Sequence, residues 1–228
     1  MSGSLYLFFK LCFFLVILLS SDISAQGYHY SDSENYVHKV LEVNKTFDGD
    51  SLLLTLKGKN KDSRHYFKPL GYTVDWKHTD QSLNHRFHAK REGHRIYLDG
   101  IYGGENIDKT ITIDQKPWIN KLDHGLSHWA LSDESLLVFW TLKINDDLEP
   151  IEFEAEKTGV EFLETPLGTF EAIKVKLRLH GFLMSKLWSA NCWYRQSDGL
   201  FLKYEGNSGP GTDVRTILIQ RPSYSDEP

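Results

Sequence analysis

Hydrophobic and polar residues alternate along much of the chain, most clearly between Phe170 and His180. In that stretch Ile173, Val175 and Leu177 occupy every second position, and charged residues lie between them. Successive side chains of a strand point to opposite faces, so one face of this segment is apolar and the other is charged. The pattern predicts a strand of an antiparallel sheet with one face on the core and one in solvent.

Similar runs recur through the sequence and are separated by turn dipeptides such as Asp99-Gly100 and Asp198-Gly199. Only residues 118–131 space their apolar positions as a helix does. We therefore predict an all-β, mainly antiparallel fold of about 10–12 strands with one short helix. A curved sheet, a half-open barrel and a sandwich all fit this pattern. The predicted strands lie at 37–43, 51–56, 94–102, 107–113, 136–142, 151–155, 160–163, 170–180, 187–194, 200–204 and 214–219.

The first 25 residues follow the order of a secretory signal peptide. Lys10 precedes an apolar run from Leu11 to Leu19, and small or polar residues then lead to Ala25. An uncleaved anchor is the alternative, but the run is too short to cross a hydrocarbon core of roughly 30 Å as a helix. We predict export to the periplasm or the extracellular space, removal of residues 1–25, a single β-rich domain at 26–222 and a frayed tail at 223–228.

Composition narrows the classes of function. The chain has 26 Lys and Arg against 31 Asp and Glu, a net charge of -5, which argues against a general nucleic-acid binder. After residue 25 the only cysteine is Cys192, so packing rather than an internal disulfide must stabilise the exported chain. Asn44 begins an N-glycosylation acceptor sequence, which matters only in a eukaryotic host. No motif indicates a cofactor.

The second half of the chain carries a string of motifs that resembles known sequences. It resembles two families of exported bacterial proteins, the domains of unknown function 3108 and 6134. The resemblance implies a β-rich periplasmic or surface protein whose curved sheet cups an apolar ligand, and it implies no catalytic residues. The matching residues are Ser127-His128-Trp129, the run from Glu161 to Ala172, Leu187-Trp188, Cys192-Trp193-Tyr194, Asp198-Gly199-Leu200 and Lys203-Tyr204.

Histidines are the weak candidates for metal or acid–base chemistry. His124 and His128 lie four residues apart in the predicted helix, a spacing that can hold zinc on one helical face. No glutamate lies between them, so hydrogen-bonding histidines near a helix end are the alternative. A second group, between His78 and His94, lies among arginines and lysines. It indicates either a solvated strand face or a titratable rim for an anionic ligand. We assign no catalytic residue and no metal.

Cys192 is a weak candidate for a nucleophile with a histidine such as His180 behind it. It lies between Trp188 and Trp193, and a lone cysteine among aromatic residues is more often a small buried apolar residue. The chain has no G-x-S-x-G sequence that would indicate a serine hydrolase.

Aromatic side chains in the last strands are the more suggestive feature. Pockets lined by aromatic residues are typical of small-molecule sites, and an ordinary core is the alternative. Because Trp188 and Trp193 are five residues apart, a regular strand would point them to opposite faces, which leaves one outside the main core or in a bulge. The tentative ligand-binding residues are Trp140, Trp188, Trp193, Tyr194 and Tyr204.

Three functions remain open from the sequence. The first is non-catalytic binding, by an exported protein, of an apolar or amphipathic molecule such as a lipid, or of an envelope partner. The second is a structural or assembly factor without a ligand. The third is an envelope hydrolase that uses the histidine-rich middle, and it requires two titratable groups within hydrogen-bond reach in one cleft.

Overall fold

The structure is a computed structural model that describes residues 26–34, 37–48, 51–58, 60–68, 71–144, 147–181, 186–207 and 214–221. The predicted signal peptide, residues 1–25, and the predicted tail, residues 223–228, lie outside the described residues. Fourteen strands and two short helices form the described part. The strands are β1 (Gln26–Glu34), β2 (Val37–Asp48), β3 (Ser51–Gly58), β4 (Lys61–Phe67), β5 (Thr73–Asp80), β6 (His85–Glu92), β7 (Arg95–Tyr102), β8 (Glu105–Thr112), β9 (Leu136–Leu142), β10 (Pro150–Thr165), β11 (Gly168–Leu179), β12 (Ser189–Arg195), β13 (Phe201–Asn207) and β14 (Val214–Gln220), and the helices are α1 (Leu122–Gly125) and α2 (Ser127–Leu131).

All fourteen strands belong to one antiparallel sheet with the order β8-β7-β6-β5-β4-β3-β2-β1-β14-β13-β12-β11-β10-β9. Consecutive strands pair as hairpins in two series, β1 to β8 and β9 to β14, and the pairing of β1 with β14 joins the two series. The prediction of an all-β, mainly antiparallel fold built on a curved sheet is confirmed. We call β1–β8 the first half of the sheet and β9–β14 the second half.

The curvature of the sheet follows from the contacts between its two halves. One core cluster packs Leu54 and Phe67 of the first half with Leu126 of the helical segment and Phe139 of the second half. A second cluster packs Leu98 of β7 with Leu142 and Leu148 near the opposite edge of the sheet. Strands that lie far apart in the sheet order therefore share one buried interior, with α1 and α2 inside the curve.

The connection between β8 and β9 seats the helices on the inner face. Trp118 accepts a hydrogen bond on its carbonyl oxygen from the Thr73 amide (2.8 Å), and Ile119 donates to the Trp140 carbonyl (2.8 Å). Gly71, with φ of 79°, lies against α1 so closely that a Cβ atom there would be 2.4 Å from the Gly125 carbonyl oxygen. Only glycine suits this contact, because both its backbone angle and the space exclude a side chain.

Two features of the fold differ from the sequence predictions. The predicted helix at 118–131 begins as extended backbone, because Trp118 pairs with Trp140, and its helical part is broken at Leu126. Strands β1, β4 and β5 were not predicted, and β6 was anticipated only as the strand-face interpretation of the histidine-rich stretch. Buried polar residues such as His65 and His78 occupy inner-face positions in β4 and β5, so these strands do not show the apolar alternation that marks the others.

Candidate functional site

The inner face of β4 and β5 carries a buried hydrogen-bonded group that we call the polar band: Ser63, His65, Trp76 and His78. The Ser63 hydroxyl accepts a hydrogen bond from Trp76 Nε1 (3.0 Å), and it lies 2.9 Å from His65 Nε2 and 3.4 Å from His78 Nδ1. The His65 ring stacks on Trp76 with centroids 5.5 Å apart. The hydroxyl can donate its one proton to one imidazole and accept from the other, which suits two neutral rings, whereas His65 Nδ1 and His78 Nε2 are buried without a hydrogen-bond partner among the described residues.

Burial keeps the imidazoles of this face neutral. Desolvation lowers the pKa of His65 well below its usual range and lowers the pKa of His78 to about 4. His85 on β6 follows the same face, and burial lowers its pKa as well. Its ring stacks on Tyr102 of β7 with centroids 4.2 Å apart. A row of aromatic and imidazole rings thus extends from the polar band to Tyr102 at the end of β7.

Helix α1 brings a second polar group to the interior. Lys121 Nζ forms an ion pair with Asp123, whose other side-chain oxygen is buried without a hydrogen bond. Burial alone would raise the pKa of Asp123, but the positive charge of Lys121 and the nearby His124 hold it below the usual value. His124 packs edge-on against the rings of Tyr30 and Phe201. The carboxylate of Asp123 is therefore kept ionised inside the curve of the sheet.

The two histidines proposed as metal candidates lie in different surroundings. His124 is buried beside Asp123, with 3.9 Å between Nε2 and Oδ2, whereas His128 on α2 is exposed. Within the described ranges, no group of three or more His, Cys, Asp or Glu side chains has an arrangement that could hold a metal ion.

The histidine-rich stretch is divided between the two faces of the sheet, as its spacing predicts. His78 and His85 lie on the inner face, whereas His88 faces outward, 2.7 Å from Asp75 and 3.7 Å from Asp99. The Ser63 hydroxyl and two imidazoles do meet within hydrogen-bond reach. They meet in the buried polar band rather than in an open cleft. The arrangement therefore suits packing and a pH-dependent stability better than it suits catalysis.

The described residues also line a cleft of about 410 Å³ where the two ends of the sheet approach each other, which we call the edge cleft. Its volume falls within the range of small-molecule sites, roughly 300–1,000 Å³. Half-buried Tyr102 and Ile107 supply apolar surface, Leu148 lies almost fully buried beside them, and charged side chains surround them. The complete lining is Tyr102, Gly103, Glu105, Ile107, Lys109, Asp147 and Leu148.

Hydrogen bonds between the sheet and the β9–β10 connection fix the walls of the edge cleft. Tyr102 donates its hydroxyl proton to the Ile144 carbonyl oxygen at 2.7 Å. Lys109 Nζ donates to the carbonyl oxygen of Asp147 and lies 3.3 Å from a carboxylate oxygen of Glu149. These contacts span about 40 positions of sequence, so the cleft is a product of the curvature rather than of any local motif.

The structure separates the aromatic residues that the sequence grouped as a ligand site. Tyr194 is buried on the inner face and donates its hydroxyl proton to the Leu122 carbonyl at 2.8 Å. Tyr204 and Trp188 are half-buried and pack against the same core. Trp188 also donates to the Asn207 carbonyl (2.7 Å) and contacts Phe153 edge-on. All three residues therefore belong to one core cluster or pack against it.

Trp193 is buried in the same core cluster, whereas Trp140 packs against the second cluster. Trp193 directly precedes a register shift in β12, which agrees with the expectation that one tryptophan lies at a bulge. Its indole donates to Glu161 (2.6 Å), and the ammonium groups of Lys174 and Lys203 lie 5.1 and 4.8 Å from the ring centre. Trp140, on edge strand β9, donates to Asp114 at 2.8 Å.

Cys192 is fully buried in the core cluster that both halves of the sheet share. Burial raises the pKa of its thiol, so the thiolate that a nucleophile requires is disfavoured there.

Comparisons with known proteins give few matches. No protein-family model matches the chain, and no curated protein matches it. Among solved structures, the "hypothetical lipoprotein YmcC" of Escherichia coli K12 is similar with a TM-score of 0.43 and 10% identity over 98% of each chain. A "putative exported protein with YmcC-like fold" from Bacteroides fragilis NCTC 9343 has a TM-score of 0.32 and 8% identity over 86% of this chain and 93% of its own. At these scores the similarity carries no conclusion about activity or location.

No described helix combines the length and the apolar character that crossing a membrane would require.

Proposed function

We propose that the protein is exported and that it binds a small amphipathic molecule, without catalysis, in the edge cleft. The observation that carries this proposal is the cleft itself: it is half open, has apolar and charged lining, and has a volume suited to a small ligand. The sequence supports export through the signal-peptide pattern of residues 1–25.

The chemistry of the lining favours an amphipathic ligand with a neutral or cationic head. The half-buried ring of Tyr102 and the side chain of Ile107, with Leu148 buried beside them, suit an acyl or aromatic group. At the rim Glu105 and Asp147 are exposed carboxylates, whereas Lys109 is occupied by its contacts with the β9–β10 connection. An anionic head would therefore meet net negative charge, and a cationic head would meet opposite charge.

Binding is a better account than catalysis because the titratable groups are placed for stability. His65 and His78 are buried and held neutral in the polar band, and neither contributes to the lining of the cleft. General acid–base catalysis needs a group near the reacting atoms with a pKa close to the working pH. The rim of the cleft offers carboxylates and one lysine that already have partners or face solvent.

A titration with three soluble twelve-carbon amphiphiles tests the proposal. Dodecyltrimethylammonium, dodecyl maltoside and laurate share one chain length and differ in head charge. Added below their micelle concentrations and followed by native mass spectrometry, the cationic amphiphile should bind at one per chain, the neutral one more weakly and laurate least. Equal binding of all three at many sites per chain, or no binding, would contradict the proposal.

Matched variants assign any binding to the cleft. Ile107→Lys places a charge on the apolar wall and should weaken binding by at least about tenfold, which corresponds to about 1.4 kcal/mol. Thr110→Lys adds the same charge to the same strand, on the opposite face, and should bind as the unmodified chain does. Retained affinity in the Ile107 variant would place the ligand elsewhere.

Export is tested separately by determining the first residue of the chain recovered from an exporting host. Cleavage after Ala25 predicts Gln26 as the first residue. Recovery of an uncleaved chain in the membrane fraction would contradict this part of the proposal.

A further inference from the structure

Strand β10 extends well past the end of its neighbour β9. β9 pairs with β10 only from Pro150 to Glu156, whereas β10 continues to Thr165 and stays paired with β11 to the end of the hairpin. A register shift between Lys157 and Gly159 follows directly after Glu156, the last residue of β10 that pairs with β9. We call residues 159–165 of β10 and 168–171 of β11 the hairpin arm.

The outer edge of β10 in the hairpin arm has open backbone groups. In an antiparallel pair, residues alternate between those that bond across the pair and those whose N–H and C=O point away. The Glu171 carbonyl accepts a hydrogen bond from the Gln196 amide (2.9 Å), so Glu171 points away from β10. Its partner Phe162 must then also direct its N–H and C=O away from β11, as Val160 and Glu164 do by alternation.

The side chains on one face of this open edge are apolar and exposed. Phe162 is 78% exposed and Val160 is 50% exposed, and both lie on the same face of β10. The other face of the arm is packed: Glu161 accepts a hydrogen bond from Trp193, and the guanidinium of Arg195 lies 5.1 Å from the centre of the Phe170 ring. The exposure of Phe162 is therefore specific to one face and is not a general feature of the hairpin.

Contacts at the tip hold the hairpin arm in place. Thr165 Oγ1 accepts a hydrogen bond from the Leu167 amide (3.1 Å) and donates to the Gly168 carbonyl (2.9 Å). Arg221 Nε donates to the Pro166 carbonyl at 2.7 Å and ties the tip to the end of β14. A strand edge that is already ordered loses less conformational entropy when it gains a partner.

The charges on the arm are acidic. Glu164 lies on the same face as Phe162, and Glu171 lies directly opposite Phe162 on β11. Within the described part of the chain, no lysine, arginine or histidine forms an ion pair with either carboxylate. Cationic groups in a partner would meet both charges beside the exposed phenyl ring, whereas an anionic membrane surface would be repelled.

We propose that the open edge of β10 from Val160 to Glu164 binds an extended segment of a partner protein, which adds to the sheet as a strand. Main-chain hydrogen bonds would form along the edge, apolar side chains of the segment would cover Val160 and Phe162, and its lysines or arginines would pair with Glu164 and Glu171. Exposed strand edges with apolar side chains are templates for such pairing. This surface is separate from the edge cleft, and the proposal does not depend on it.

Three peptides of equal length test the edge. The first repeats Val-Thr-Val-Thr-Lys-Thr, so that valine and lysine lie on one face of the added strand as Val160, Phe162 and Glu164 do on β10; the second replaces each lysine with glutamate, and the third is the lysine peptide with alternate backbone amides N-methylated. Binding is followed by amide NMR of the full chain. The lysine peptide should shift the Val160, Phe162 and Glu164 amides and slow their hydrogen exchange. The methylated peptide and the glutamate peptide should bind at least about tenfold more weakly, because one lacks donors and the other carries the wrong charge.

Two variants separate the surface from the fold. Phe162→Asp should reduce affinity for the lysine peptide by at least about tenfold while the folded spectrum is retained, because the side chain is mostly exposed. Leu83→Asp changes an exposed apolar residue outside the arm and should leave affinity unchanged.

Several outcomes would overturn the proposal. Equal affinity of the chain for the methylated peptide would exclude strand addition. A concentration-dependent dimer that Phe162→Asp abolishes would assign the edge to a second copy of the chain. Binding of the unmodified chain, but not of the Phe162 variant, to phosphatidylglycerol vesicles would assign it to a membrane surface.

Discussion

The two halves of the sheet bury different chemistry on the same inner surface. In the second half the inner positions are occupied by hydrocarbon and sulfur, as in Val175, Leu177 and Cys192. In the first half, β4 and β5 place His65 and His78 at inner-face positions, where one ring nitrogen of each lies near the Ser63 hydroxyl. Among the described strands, the inner-face histidines whose pKa burial lowers lie in the first half, so we expect the response to protons there.

This difference shows how one curved sheet can combine a stable scaffold with a more adaptable edge. Burial of apolar side chains contributes stability at every pH, whereas a buried imidazole contributes only while it stays neutral. The edge cleft lies beside the histidine-bearing strands, next to the stack of His85 and Tyr102. Protonation of the buried histidines in the first half should therefore disturb the edge cleft before it disturbs the core of the second half.

The largest expected effect is a cavity in the second half. Phe139→Ala removes a fully buried ring between the two sheet halves and should lower the free energy of unfolding by about 3–5 kcal/mol. Urea unfolding at pH 7.5 and at pH 5 should give the same loss at both values. A loss that grows strongly at pH 5 would contradict the assignment of proton sensitivity to the first half.

Acid should destabilise the first half through His78. Its folded pKa is about 4, below the unfolded value near 6.5, so below pH 6.5 the unfolded chain binds a proton that the folded chain does not. Stability is full above pH 6.5 and should fall by about 3 kcal/mol from this residue as the pH approaches 4. His78→Gln, measured by urea unfolding across this range, should flatten the decline.

The matched control for this prediction is the exposed His128. His128→Gln should leave the decline with pH unchanged. If His78→Gln has the same pH profile as the unmodified chain, His78 is not the source of the acid sensitivity.

A smaller effect is expected where the halves join. Asp32 on β1 accepts two hydrogen bonds from Arg215 on β14, at 2.8 and 2.5 Å, and the carboxylate is buried. Asp32→Asn removes the charge of this buried partner from the guanidinium and should cost about 2 kcal/mol, less than a fully buried pair because Arg215 is partly exposed. Glu92→Gln, which alters the exposed pair with Lys90, should leave the unfolding midpoint unchanged. Equal unfolding midpoints for the Asp32 and Glu92 variants would show that the Asp32–Arg215 pair does not stabilise the junction between the two halves.

The sequence predicted those strands in which apolar and polar residues alternate, such as the segment around Val175. It could not predict β4 and β5, because inward-facing polar residues such as Ser63 and His65 give the same pattern as a solvated loop. The two predicted strands at 151–155 and 160–163 form one strand, since the register shift before Gly159 interrupts the alternation without ending the pairing.

The candidate site was less accessible to sequence reasoning than the fold. Gly103-Gly104 marks the hairpin beside Tyr102, but nothing local indicates that Leu148 returns to it. That contact depends on the curvature of the whole sheet. Aromatic residues such as Trp188 and Tyr194 attracted attention through size and proximity in sequence, and the structure uses them for packing and hydrogen bonds at the core.

The most direct test of the proposed ligand site is a methyl NMR titration of the chain with dodecyltrimethylammonium. The account predicts saturable shifts at the methyl groups of Ile107 and Leu148, and no shift at Leu177 in the core of the second half. Shifts confined to methyl groups around Trp188 and Tyr204, with Ile107 unchanged, would contradict the edge cleft and return the ligand to the aromatic strands.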